Sequence, residues 1–246
     1  MFAFARVNKA FEEKRKRLCL GELLGFAMFG GYALYCFLGD FSFVKFLMFA
    51  GILWGIKNVL KQGFQKEIES EFIRHGKEVI DGVKIDIDNG IDENVLVKSK
   101  FLKGFDGKES FNVIEGKGFK LSEEQLYKKL FKNDCGNINV FDGVVIEIDD
   151  CKFEGRAKFR IENGREIFDG ECCKEQREYV FRLMRIFGAS GGFSEVIEGK
   201  LYVFFDKVKL FYQFGVWSKV DVMKCVSKFK IIVENVVGLR NTVFKG

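Results

Sequence analysis

Few places in this 246-residue sequence bring together side chains with the chemistry for catalysis or binding. Adjacent Cys172 and Cys173 have the form of a nucleophile or redox pair, but no histidine or concentrated basic stretch stands near them to draw off a thiol proton. They read as one partly buried thiol and one inert exposed thiol. Asp149 and Asp150 offer two carboxylates for acid and base work, yet neighbours on a strand point to opposite faces. The run Asp86-x-Asp88-Asn89-Gly90-x-Asp92-Glu93 has the look of a calcium loop, but its glycine falls at position five and position twelve is not glutamate. It reads as a solvated hairpin tip. Gly188-Ala-Ser-Gly-Gly192 ends a helix and feeds a strand, the reverse of a phosphate-cradling loop, so it reads as a helix cap and connector. The single histidine, His75, falls on the apolar face of a helix and reads as a packed, hydrogen-bonded structural residue. Seven cysteines form an odd set without C-x-x-C spacing, which with one histidine argues against zinc. No catalytic, cofactor-binding or metal residue is nominated.

The elements that would position any such group begin with two apolar runs. Leu18 to Leu38 carries one charge, Glu22, and covers about 31 Å as a helix, the thickness of a hydrocarbon core. Phe41 to Leu60 is also mostly apolar, with Lys45 and Lys57 near its ends, where long side chains snorkel to the interface. A pair of buried core helices would show a polar face, and Leu23 to Leu38 has no charge on any side. A secretory signal would be shorter and followed by a small-x-small cleavage site. The predicted arrangement is a transmembrane hairpin at 18–60, preceded by a basic cytoplasmic leader at 1–17. Basic residues flank both outer ends of the hairpin and only Asp40 lies in its loop, which places both termini in the cytoplasm. Tyr32 and Tyr35 then lie toward the outer interface and Trp54 toward the inner one. Gly21-x-x-x-Gly25, Ala27-x-x-x-Gly31 and Gly51-x-x-x-Gly55 allow close helix approach, within one hairpin or between two protomers. Glu22 and Lys57 should come level and face one another across the two helices.

Residues 64–246 carry equal numbers of basic and acidic side chains, so the net charge of +5 belongs to the anchor. That argues against a nucleic-acid-binding domain, which needs a concentrated basic footprint. The Lys14 to Arg17 run reads as an orientation signal that also touches anionic lipid.

An amphipathic connector helix is expected at 61–80, with Leu60, Phe64, Ile68, Phe72, His75 and Val79 on one face. The remainder, 81–246, reads as a cytoplasmic α+β domain on an antiparallel sheet. Val83, Ile85 and Ile87, then Val95 and Val97, alternate with polar residues and predict a hairpin with a three-residue loop at 89–91 that pairs Ile85 with Val95. Leu121-Ser122-Glu123-Glu124-Gln125-Leu126 has the form of a capping box with a hydrophobic staple and predicts a short helix to about Lys132. Strands are expected at 144–149 and 153–161, the latter with Phe153, Ala157, Phe159 and Ile161 inward, and Asn163-Gly164 turns the chain into 165–168. A helix follows at 172–187, then a hairpin about Glu198-Gly199. The last helix opens on Ser218 with Asp221 and Trp217 with Val222, buries Val226, Phe229, Val233 and Val236, and stops at Gly238.

The order of apolar hairpin, connector, strands, the helix Lys174 to Phe187, the segment Glu198-Gly-Lys-Leu-Tyr-Val-Phe-Phe205, the pair Leu210-Phe211 and a closing apolar helix resembles the bacterial membrane-protein family catalogued only as domain of unknown function 3137. The resemblance is best over 141–244, and 98–135 departs from it. It implies a bacterial inner-membrane location and an α+β cytoplasmic domain, and it transfers no functional residue.

Three functional readings follow. A charge-balanced domain rich in phenylalanine, without a convergent polar site, fits a non-enzymatic, membrane-tethered interaction or scaffold module with the bilayer and a protein partner or second copy as its contacts. A lipid- or small-ligand-sensing domain would use the basic outward face of the 152–160 strand at anionic headgroups. An enzyme would have to draw on carboxylates such as Asp149 and Asp150.

Overall fold

The computed structural model describes residues 2–39, 43–79, 82–86, 90–102, 104–130, 136–152, 155–210 and 222–244. The chain divides into two compact units, residues 1–74 with 213–225, and residues 75–212 with 226–246.

The first unit holds α1 (Phe2–Leu38) and most of α2 (Phe43–Val79), two long continuous helices, so the basic leader and the first apolar run form one element, and the second run continues unbroken into the connector. They pack antiparallel: Phe11 meets Phe64, Phe29 meets Phe46 with ring centres 5.1 Å apart, and Tyr32 meets Phe49 at 4.7 Å. Among the described residues, the segment of α1 from Asn8 to Tyr35 is the one helix long and apolar enough, by length and composition, to cross a membrane. The side chains of Ile68, Phe72, His75 and Val79 lie outside the described residues, so the apolar face expected there is untested.

The second unit is α+β, as expected. Among the described residues its sheet has eight strands, all paired antiparallel, in the order β1 (Lys84–Asp86), β2 (Gly107–Gly116), β3 (Phe119–Lys129), β4 (Asn137–Ile148), β8 (Lys200–Asp206), β7 (Gly191–Ile197), β5 (Arg156–Glu162) and β6 (Arg165–Gly170). Because side chains alternate along a strand, β8 serves two cores at once. Tyr202 and Phe204 pack with Phe141, Val145, Leu126 and Ile197 against Ile91, Leu96 and Leu102 on one face. Val203 and Phe205 are buried on the other, where Phe205 meets Phe187 of α4 (Lys174–Phe187) and Phe159 meets Phe181.

The turns read from sequence are present: Asn163-Gly164 joins β5 to β6, and Glu198-Gly199 joins β7 to β8, each with positive φ at both residues. Helix α4 ends on left-handed Gly188, as the glycine-rich stretch suggests. Ala157 and Phe159 are buried while Lys158 and Arg160 are exposed, the expected faces of β5; Phe153 lies outside the described residues.

Three expectations are overturned. The segment from Ser122 to Lys129 is strand, not helix: β3 pairs on both sides, Leu121 with Ile114 of β2 and with Ile146 of β4. The Ser122 hydroxyl that would cap a helix donates instead to Glu124, which also accepts from Ser110 and the Ile91 N–H, so sheet pairing and side-chain satisfaction together outweigh the local capping signal of Ser122 and Gln125. The 83–97 hairpin is also absent. Ile85 pairs with Ile114, and Val95 and Val97 belong to a short helix, α3 (Glu93–Lys98), whose N-cap Asp92 accepts a hydrogen bond from the Asn94 N–H. Finally, α5 (Val222–Phe244) runs through Gly238 instead of stopping there. A Cβ at Gly238 would strike the Tyr179 ring, so the glycine serves the close approach of α5 to α4. Val226, Phe229, Val233 and Val236 are buried as expected, whereas the box at 217–221 lies outside the described residues.

Candidate functional site

The sheet domain buries acids, and the sequence reading missed them. Glu124, on β3, is fully buried and accepts hydrogen bonds from the Ile91 N–H at 2.8 Å, Ser110 Oγ at 2.7 Å and Ser122 Oγ at 2.6 Å, with Lys108 Nζ 3.8 Å away. Lys108 also donates to the Ile91 carbonyl. Glu195, on the same face of β7, accepts from Ser99 Oγ at 2.9 Å and from the Lys100 N–H at 3.0 Å. The two carboxylates therefore fasten the beginning and the end of the segment 91–102, which carries α3 across the sheet. On the opposite face Glu123 accepts from the Leu210 N–H at 2.6 Å, with Lys209 Nζ at 4.0 Å. A carboxylate holding several donors is well placed to order backbone, and the lone pairs those donors occupy are not free to take a proton from a substrate. The available signal was phase: residues 122, 124 and 126 alternate with 121 and 123 as in a strand buried on both faces, a pattern the capping box concealed.

A cleft of about 420 Å³ opens beside Glu195, lined by Lys100, Arg156, Glu171 and Val196. A smaller hollow of about 160 Å³ lies nearby, between Glu171, Cys172, Cys173, Gln176 and Ser194. Neither thiol is presented there as a nucleophile. Burial, with a smaller effect from Cys173, pushes the Cys172 thiol up from its ordinary 9.0 to about 11, so it stays protonated at neutral pH. Cys173 is half-buried rather than exposed, and its sulfur caps α4 by accepting from the Gln176 N–H.

Asp149 and Asp150 do not converge. Asp149 pairs with Lys200 at 2.8 Å, and Lys200 also reaches Glu147 at 2.7 Å; Asp150 sits in the turn beyond β4 with φ of 55°. The two carboxylates, Asp149 first, hold the Lys200 ammonium above its ordinary range. Tyr202 is raised as well, by burial first and then by the Glu147 charge. The acidic run at 86–93 is split between β1 and the α3 cap, with 87–89 outside the described residues, and His75 is described in its backbone alone. Among the described residues no three His, Cys, Asp or Glu side chains gather to hold a metal.

In the helical unit, Glu22 and Lys57 do face one another, Nζ to Oε1 at 3.5 Å, as their positions in the two apolar runs require. Lys57 also lies over the Phe26 ring, 5.5 Å from its centre, so the charge has a second attractive neighbour. The pair lines a groove of about 640 Å³ between α1 and α2, walled mostly by apolar side chains such as Phe29, Leu47 and Trp54, with Lys61 as a further charged residue.

The sequence matches no family model and no curated protein. Among solved structures, the chain is similar to the mycobacterial trehalose monomycolate transport factor A, TtfA, at 12% identity and a TM-score of 0.35, over 71% of this chain and 93% of that one. Similarity at that level is too loose to transfer either a fold or a role.

Proposed function

We propose that this chain is a membrane-tethered interaction module without catalytic activity, in which α1 and α2 both span the bacterial inner membrane and hold the α+β domain on the cytoplasmic side. The observation that carries the proposal is the outward face of the helical pair. Leu23, Phe26, Met28 and Leu34 on α1, with Met48, Ile52, Trp54 and Val59 on α2, are between 53% and 69% exposed. Each such side chain gains about 1.5–3 kcal/mol on leaving water, so a belt of them on both helices needs an apolar surrounding. Lys14 and Glu67 pair beyond the apolar stretch, where water and headgroups support charge. The non-catalytic reading draws on Glu123, Glu124 and Glu195, whose carboxylates hold chain segments in place, and on Cys172, whose thiol stays protonated. The resemblance to the family of unknown function agrees with this location and supplies no activity.

Reporter fusions at both termini and at Asp40 test the topology. Cytoplasmic signals from both ends and an external signal from the loop are expected; ends on opposite sides of the membrane would overturn it. Proximity labelling from the domain at native expression then tests the interaction role, with a reproducible set of neighbours expected and none refuting it.

The lipid-sensing alternative rests on the exposed row Arg156, Lys158 and Arg160 of β5. Two members of that row are engaged: Lys158 lies over the Phe101 ring and Arg160 pairs with Glu162. Their engagement favours the interaction module.

A further inference from the structure

We propose that the groove between α1 and α2 is the docking face for a second copy of this chain, and that Glu22 and Lys57 close a ring of four alternating charges across the dimer axis. The inference rests on the two-span reading and deepens it.

Small residues at four-residue spacing serve close helix approach, and in this hairpin that capacity is unused. A Cβ placed at Gly21, Gly25, Gly51 or Gly55 would meet nothing within 4 Å. The two helices of one hairpin are seated instead by aromatic pairs, Phe29 on Phe46 and Tyr32 on Phe49. Gly21, Gly25 and Gly51 line the open groove, so the glycine face points at whatever fills it.

Glu22 supplies the second, independent observation. Its side chain is only 10% exposed, one oxygen faces Lys57 at 3.5 Å, and the other, Oε2, is buried without a hydrogen-bond partner. A carboxylate oxygen left unmatched in apolar surroundings is costly, and the occupant of the groove should bring a donor to it. Lys57 has three donors on a side chain 43% exposed, more than its single contact with Glu22 uses.

A two-fold axis along the membrane normal presents the same patch to itself, so every residue returns at its own depth. The partner's Lys57 then arrives level with Glu22, and the partner's Glu22 level with Lys57. Each acid gains the donor it lacks, like charges sit on the diagonals, and the glycine faces let the backbones approach. A phospholipid filling the groove would bring a phosphate to Lys57 and Lys61, and a helix of another protein would match the apolar walls, but neither has an acid and a base fixed at that depth by symmetry.

Single-molecule photobleaching of the labelled full-length chain in dilute phospholipid vesicles tests the proposal. Two-step bleaching is expected for the unaltered chain. Gly25→Leu should weaken the dimer by about tenfold with helix content unchanged in circular dichroism, because its side chain projects into open space within the monomer. Glu22→Gln should weaken it several-fold, and the exchange Glu22→Lys with Lys57→Glu should restore it, since the swapped charges regenerate the ring. Single-step bleaching at every protein density would overturn the proposal, as would a dimer indifferent to Gly25→Leu. A monomer retaining phospholipid in native mass spectrometry would overturn it in favour of a lipid occupant. Release of the chain into the soluble fraction by alkaline carbonate would overturn the two-span reading itself, a failure distinct from a membrane-embedded monomer.

Discussion

The helical hairpin and the sheet domain treat the same residue types in opposite ways. In the hairpin, apolar side chains such as Leu23, Phe26 and Met28 turn outward and a nearly buried glutamate keeps one oxygen unmatched. In the sheet domain they turn inward, and the buried Glu124 holds three hydrogen-bond donors with a lysine close by. Glycine divides likewise: Gly238 lies against the Tyr179 ring, while Gly25 faces open space. The buried acids Glu123, Glu124 and Glu195 of the sheet domain take their donors from within it, whereas Glu22 of the hairpin keeps one oxygen without a donor.

The sharpest way to break this contrast is Glu124→Ala in the full-length, detergent-solubilised chain. It strips the acceptor from the Ile91 N–H, Ser110 and Ser122 and leaves Lys108 without its carboxylate, a loss of about 3–5 kcal/mol in denaturant unfolding of the sheet domain. A loss under about 1 kcal/mol would mean that Glu124 does not hold the 91–102 segment.

Next comes a paired glycine comparison. Gly238→Leu drives a side chain into Tyr179 and should cost about 1–3 kcal/mol, read as lost hydrogen-exchange protection in α4 and α5, while Gly25→Leu should leave the hairpin's own helix protection unchanged. Equal effects would erase the distinction between a packed and an open glycine.

Alkaline pH gives a smaller effect that belongs to the sheet domain alone. Cys172, Tyr202 and Lys200 all hold their protons more tightly when folded than their ordinary values allow, so the unfolded chain releases protons first as pH rises. Their contribution to stability is complete below about pH 9 and declines above it, for Cys172 between its ordinary 9.0 and about 11. The melting temperature should fall over that range, and Cys172→Ala should remove the first part of the decline. A flat profile would contradict the burial of these groups. Smallest of all, Lys57→Met in the monomeric hairpin should cost on the order of 1 kcal/mol, since in the proposed membrane placement headgroups and water would replace part of the lost contact with Glu22.

Much of the architecture was legible in the residues. The turns at Asn163-Gly164 and Glu198-Gly199 and the span of α4 follow from short local patterns, and the level positions of Glu22 and Lys57 follow from the helical rise along the two apolar runs. Helical rise, strand alternation and positive φ are local properties, and where nothing distant competes they decide the outcome. The latches were not legible, since Glu123 and Glu124 in the strand β3 have the form of a helix's first turn. Only the pairing of β3 with β2 and β4 makes them buried acids, and only the fold brings Ile91 and Ser110 to Glu124. Val95 and Val97 became helix because β1 found its partner in β2, and Gly238 stayed helical because Tyr179 lies against it. In each case the local preference is worth about 1 kcal/mol or less, and the hydrogen bonds and contacts supplied by residues distant in the chain exceed it.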